Sequence, residues 1–336
     1  MLVLISRLVN NNLFIMVLVS SFLASIQIAY AESHDKVFED SNTITNQFYE
    51  IGGDKNNPYK KVNHTKGFCA LGEFIPNKNF TKTYVIPLMK EAKIPTQVRF
   101  SLGGANPNES DKSKTRAMAL KMNGKNDSWE IVMTNSEINF AKNPEEFMQF
   151  LQFKIDIKNS KITQEQANKA MNKVDSFNNF NTHITSLPNT SSFSQASYHS
   201  VHTFYFNDIK SNKQIPARWK FVPINRQPIT QKEFEKLGNN FLESHFQDEV
   251  KKSPIEFKFL LVLANPNDPT DNINAIWNGK HKEVEVGILK ITQYDGQECN
   301  GDVFMPNILP NGVNEPKDPM FAVRNAVYSA TFNKRQ

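Results

Sequence analysis

Near the end of the chain, Asp318 to Arg335 reads DPMFAVRNAVYSATFNKR. Pro319 suits the first turn of a helix, and Asp318 before it suits an N-cap. By i,i+3 and i,i+4 spacing, Phe321, Arg324, Tyr328 and Phe332 then share one face, and a guanidinium lies one turn before a phenol. Taken alone, that pair reads as a snorkelling arginine beside a core tyrosine. Its chemical reading is sharper. A fixed cation beside a phenol favours the phenolate, and a phenolate taken out of water needs a second positive partner, for which a ferric iron would serve. His64 precedes an apolar strand; most lone histidines are loop residues, but one at a strand mouth is placed to move protons near neutral pH. Val98-Arg99-Phe100-Ser101 puts Arg99 and Ser101 on one strand face. His202 lies three residues after His199, which puts the two on opposite faces of a strand and speaks against a metal pair.

These residues are scattered over most of the chain, so the elements between them must bring them together. Phe68 to Phe74 reads as a strand interrupted by Gly72. Ala117 to Met122 pairs with Trp129 to Met133 through a turn at 123–127. The run YHSVHTFYF, then Arg218 to Val222, Ile255 to Ala264 and Glu283 to Thr292, add further strands. Short strands separated by turn signals predict an antiparallel sheet or barrel, in an α+β chain. Gly103 to Thr115 reads as a mobile surface loop and residues 181–197 as another. Asn143-Pro144 starts an aromatic-rich helix carrying Phe147, Phe150, Leu151 and Phe153. Gln164 to Val174 is helical, and Glu233 to Val250 reads as one amphipathic helix.

At 336 residues the chain can bury a large core. The net charge of +5 is spread over interspersed Lys, Asp and Glu, with no basic block suited to nucleic acid. Phe occurs 26 times against 3 Trp and 8 Tyr, which points to an aromatic core or a pocket for a flat apolar ligand. Arg7, an apolar run from Leu13 to Ile28, and Ala29-Tyr30-Ala31 read as a signal peptide over residues 1–31. The mature chain is then expected in a periplasm if the source is bacterial, without a stable membrane span after cleavage; an uncleaved anchor is the alternative. Residues 32–60 read as a polar N-terminal arm. Export permits a disulfide, but Cys69 and Cys299 are far apart, and Cys69, in an apolar run, reads as a buried free thiol.

In chain order, the pieces resemble the haem-containing catalase superfamily, and within it the short exported catalase-related peroxidases. His64-Thr-Lys-Gly67 is similar to the family's H-A-[KR]-G segment, and Val98-Arg-Phe-Ser101 to its V-R-F-S strand. Ser200-Val-His-Thr-Phe204 is similar to G-S-H-T-F. Asp268-Pro-Thr270 with Trp277 is similar to D-P-T-x-x-W, and Asp318, Arg324 and Tyr328 follow D-x₅-R-x₃-Y. The resemblance implies a catalase-like antiparallel β-barrel enclosing haem b, with flanking helices, over residues 61–336. It implies Tyr328 as the axial oxygen on iron, with Arg324 beside it and His202 and Asp318 orienting Arg324. It implies His64 as the distal base, Ser101 setting its tautomer, Arg99 and Arg335 pairing with haem propionates, and Phe140 and Phe147 near the porphyrin face.

Four departures bear on function. Met133-Thr-Asn-Ser-Glu137 stands where full catalases have G-N-N-T-P, so Thr134 takes the place of their catalytic amide; a one-residue shift would put Asn135 there instead. Lys61 replaces an arginine. Asn63 replaces an apolar residue and predicts a more polar channel. The chain also ends soon after Tyr328. These features imply a peroxidase that reduces hydrogen peroxide or organic peroxides with a small organic electron donor, with weak or no catalase activity. True catalase activity, a hydroperoxide isomerase of the allene-oxide-forming kind, and a non-catalytic haem-binding barrel are the alternatives. The expected assembly is a monomer or dimer.

Overall fold

A computed structural model describes residues 34–336. The expected signal peptide lies outside them. Alternation of apolar and polar residues builds the framework. In β4 (Ser128–Thr134), Trp129, Ile131 and Met133 are buried, while Ser128, Glu130, Val132 and Thr134 point to the other face. The same alternation recurs in β8 (Ile255–Leu263). The remaining strands are β1 (Gly67–Pro76), β2 (Ile94–Ser101), β3 (Ala117–Asn123), β5 (Tyr198–His199), β6 (Phe204–Asn207), β7 (Gln214–Pro223), β9 (Glu283–Tyr294) and β10 (Val313–Asn314).

All pairings are antiparallel. The order β1-β2-β3-β4-β5-β7-β8-β9 returns to β1, which closes an eight-stranded barrel and leaves no free edge around the ring. β6 extends the line of β5 along one side of β7 and carries β10 outside the ring. Aromatic side chains fill the interior. Trp129 meets Trp219 edge-on at 5.5 Å, Phe204 stacks on Trp219 at 3.9 Å, and Phe221 stacks on Phe259 at 4.4 Å. The high Phe content is therefore spent largely on the barrel core. Gly72 sits at a β-bulge between β1 and β9, where a Cβ would lie 2.2 Å from the Lys290 carbonyl oxygen, so only glycine permits the approach.

Helices cover the outside. Residues 34–52 are helical (α1) and bury Ile44, so the polar stretch expected as an arm contains a packed amphipathic helix. α2 (Pro144–Lys158) starts at Asn143, whose side chain accepts the Glu146 N–H. α3 (Gln164–Met171) and α4 (Asp175–Ser186) follow, so α4 extends into the stretch expected as loop from 181. The single helix expected over 233–250 is two, α5 (Gln231–Lys236) and α6 (Leu242–Lys252). Gly238-Asn239-Asn240 breaks the helix, and the buried Asp111 carboxylate takes the Phe241 and Leu242 N–H groups at the start of α6. That contact, with the Lys66–Asp111 ion pair at 2.7 Å, fastens the 103–115 loop expected to be mobile. α7 (Met320–Asn333) packs Val323 and Val327 against Ile44 of α1 and Leu151 of α2.

Candidate active site

Strand register sets up the site. Ser101 pairs with Ala117, which pairs with Thr134; one step along, Cys69 pairs with Arg99, Arg99 with Ala119, and Ala119 with Val132. Directly opposed residues share a face, and this face is the one turned away from the packed barrel interior. Arg99, Ser101 and Thr134 thus line the outer wall of the barrel, not its filled centre.

His64 leads into β1 with φ of +53°, a left-handed backbone that is costly for a residue with a Cβ. Three contacts hold it there. The Asn63 side-chain oxygen accepts the His64 N–H at 2.9 Å and the Gly104 N–H at 3.0 Å. Arg99 Nη2 donates to the His64 carbonyl at 2.9 Å. The imidazole Nδ1 lies 3.1 Å from Ser101 Oγ. The Asn63 oxygen is therefore turned to backbone and clamps the two segments together. Burial pushes the His64 pKa down to about 4, and the Arg99 and then Arg324 charges push the same way, so the ring is a neutral base at ordinary pH. The Arg324 charge thus reaches His64 from α7.

On α7, Asp318 does take a helix N–H, that of Met320 at 3.1 Å, although the helix begins one residue later than expected, after Pro319. Asp318 and Arg324 are joined through His202. That histidine lies in a break at 200–203 between β5 and β6, not inside the continuous strand expected. Its Nδ1 is 2.8 Å from Asp318 Oδ2 and its Nε2 is 2.9 Å from Arg324 Nη1. A guanidinium only donates, so Nε2 must carry the lone pair and Nδ1 the proton, which it donates to Asp318. Burial lowers the His202 pKa and keeps this neutral tautomer. Arg324 Nη2 then donates to the Tyr328 oxygen at 3.3 Å. The result is a continuous chain, Asp318–His202–Arg324–Tyr328, assembled from two distant segments. Phe321 packs edge-on against His202 at 5.2 Å and restricts the ring further.

The remaining expected residues divide. Phe140 and Phe147 lie together at 4.9 Å, half-buried, with Phe150 also against Phe140. Thr134 lies on the same face as Ser101 and Arg99. Asn135 does not: its amide oxygen accepts the Arg116 N–H and its amide nitrogen donates to the Lys114 carbonyl, so both ends are committed to the neighbouring loop. Arg335 is buried near Arg99 and donates to the Thr331 and Asn300 carbonyls.

One expectation is overturned outright. Cys69 is not a free thiol but is disulfide-bonded to Cys299. The register explains the pairing: Cys69 projects to the outer face beside Arg99, where the segment after β9 folds back over the wall, and a separation of 230 residues hides this from the sequence. Two residues missing from the expected set also belong to this region. Lys61 lies near Arg99 and Arg335, and their charges and its burial lower its pKa to about 7. Asn300 touches both arginines. Lys61 carried a signal, as the basic residue three before His64; Asn300 carried none beyond its place after Cys299.

Comparison with known proteins identifies the family and the fold. Residues 53–336 match the Catalase family model. The catalase-related peroxidase of Synechococcus elongatus is 29% identical over 284 residues, covering 82% of this chain and 83% of the relative. That of Mycolicibacterium paratuberculosis is 23% identical over 285 residues, covering 81% and 88%. Among solved structures, a fungal catalase and catalase A from Saccharomyces cerevisiae both superpose with a TM-score of 0.66, at 15% and 14% identity. Each alignment covers 82% of this chain, but the chain spans only 59% and 61% of their respective lengths. With the fold, the His64 entrance and the Asp318–Tyr328 chain in place, the match over residues 53–336 shows that the chain belongs to the catalase family.

Proposed function

We propose that this protein is an exported haem b peroxidase, which reduces hydrogen peroxide or organic peroxides with a small organic donor. The observation that carries the reading is the Asp318–His202–Arg324–Tyr328 chain, whose Arg324 charge helps to keep the buried His64 neutral. The donor set suits a haem. Tyr328 offers an oxygen to iron, and the half-buried Phe140 and Phe147 offer flat apolar surface. Lys61, Arg99 and Arg335 are bonded to neutral oxygens and form no ion pair with a carboxylate among the described residues, which leaves them for the two propionates.

When bound, haem supplies the iron at which the peroxide O–O bond is cleaved and through which electrons from the donor are taken up. The chain's own residues supply orientation and proton movement. Arg324, fixed by His202, hydrogen-bonds the Tyr328 oxygen from the side and holds the phenol ring in place. His64, with Nδ1 at Ser101, keeps Nε2 for proton transfer. It takes the proton from one peroxide oxygen and returns it to the other, which leaves as water or alcohol. Thr134 has no amide to position a second peroxide as a two-hydrogen donor, and Asn135 is committed elsewhere, so oxidation of another donor is favoured over dismutation. The disulfide supports the export reading, since such bonds persist mainly in oxidising compartments.

Soret titration of the apo protein tests the assignment. The wild type should take up haem, and Tyr328→Phe should lose it or hold it weakly. An unchanged spectrum in Tyr328→Phe would mean that another residue is the ligand.

A further inference from the structure

We propose that Asn300, presented by the Cys69–Cys299 disulfide, is the positioning residue for the carboxylate-binding cations; this rests on the haem reading above. Lys61, Arg99 and Arg335 come from the lead-in to β1, from β2 and from beyond α7. All three nevertheless bond to one short segment. Arg99 Nε donates to Asn300 Oδ1 at 3.0 Å, Arg335 Nη1 to the Asn300 carbonyl at 3.4 Å, and Lys61 Nζ to the Asp302 carbonyl at 2.6 Å. The carboxylate of Asp302 itself lies 3.7 Å from Lys121, and its charge offsets only part of that of Lys61 and Arg335.

The acceptors' neutrality is the point. Neutral oxygens orient cations without cancelling their charge, so the cluster stays positive. Its mutual repulsion is visible in Lys61 at about 7 and Arg99 at about 10, both lowered first by burial and then by neighbouring arginines. Such a cluster favours a dianion whose two carboxylates can reach it. A carboxylate at position 300 would keep the acceptor for Arg99, lose the donor that Asn300 Nδ2 gives Gln297 Oε1, and neutralise the site.

The disulfide explains how Asn300 arrives there. Cys69 is the register partner of Arg99 on the outer wall, and Cys299, which immediately precedes Asn300, is bonded to it. The Cys299 N–H also meets Cys69 Sγ at 3.0 Å. The covalent bond thus delivers the amide onto the row of the sheet that carries Arg99. Both cysteines are fully buried, so the bond acts as a fixed clamp rather than a surface switch.

The probes are protoporphyrin IX and its dimethyl ester, which lacks the carboxylates, each titrated into the apo protein and followed by porphyrin fluorescence. The wild type should prefer the free acid by about tenfold or more, the scale of one charge-assisted contact. Asn300→Asp, which keeps the disulfide, should reduce that preference toward one, with free-acid affinity falling and ester affinity retained. The Cys69→Ser/Cys299→Ser double variant should also lose the preference. Equal losses for both porphyrins in Asn300→Asp, or an undiminished preference, would overturn the positioning role. Equal binding of the two porphyrins by the wild type would overturn it while leaving the haem reading standing. Failure of the wild type to bind either porphyrin would overturn both.

Discussion

At the scale of single residues, reactivity depends on what surrounds His64, Thr134 and Asn63. A positioned base contributes about 10²–10⁴-fold to a proton-transfer step, so His64→Ala should slow peroxide cleavage by about that factor, measured by stopped flow, with haem still bound. Unimpaired kinetics would reject the assigned base. Because burial and two arginines hold His64 at about 4, the rate should stay flat as pH falls from neutrality and drop only as pH approaches about 4. The same shift acts on stability. The folded pKa lies below the ordinary 6.5, so the unfolded chain binds more protons between the two values. Stability is therefore full above about 6.5 and declines as pH falls toward about 4, and His199, also lowered to about 4 by burial, adds to the decline. Thermal melts across that range should show Tm falling with acid. Thr134→Asn should raise oxygen release from peroxide, which an oxygen electrode would detect. Asn63→Val should slow cleavage without displacing haem, since it frees the His64 N–H from its clamp; a wild-type rate would show that the clamp is dispensable.

At the scale of elements, legibility followed locality. The i,i+4 placement of Arg324 and Tyr328 is a property of one helix, and the shared face of Arg99 and Ser101 a property of one strand, so both were readable in the sequence. Strands whose apolar alternation is strong, such as β4 and β8, were readable for the same reason. What escaped was set by contacts from afar. The break that carries His202 is met by Asp318 and Arg324, 116 and 122 residues away. The backbone clamp made by the Asn63 oxygen depends on the approach of Gly104, 41 residues away. The Cys69–Cys299 bond depends on the register of β1 with β2 and on the fold-back after β9, neither of which is encoded in cysteine spacing. Removing that bond should cost about 2–5 kcal/mol, read from denaturant midpoints. Gly72→Val should destabilise by more than about 1 kcal/mol, because its Cβ meets the backbone of β9 rather than a movable side chain.

At the scale of the whole molecule, the closed barrel is a rigid wall and α7 is the lid that completes the site against it. The aromatic interior, built around Trp129, Trp219 and Phe259, keeps that wall from yielding when the outer face is loaded with cations. The expected cleavage after Ala31 belongs to this scale too: the N-terminus of exported protein should be Glu32, and an intact Met1 in the soluble exported fraction would refute it. The central claim is that this catalase-family chain returns the oxidising power of peroxide to an outside donor instead of to a second peroxide. One cuvette decides it. Haem-loaded protein is given hydrogen peroxide and a chromogenic phenolic donor while absorbance and dissolved oxygen are recorded together. Donor oxidation with little oxygen release is expected; vigorous oxygen release with the donor left untouched would show that the protein dismutates peroxide instead.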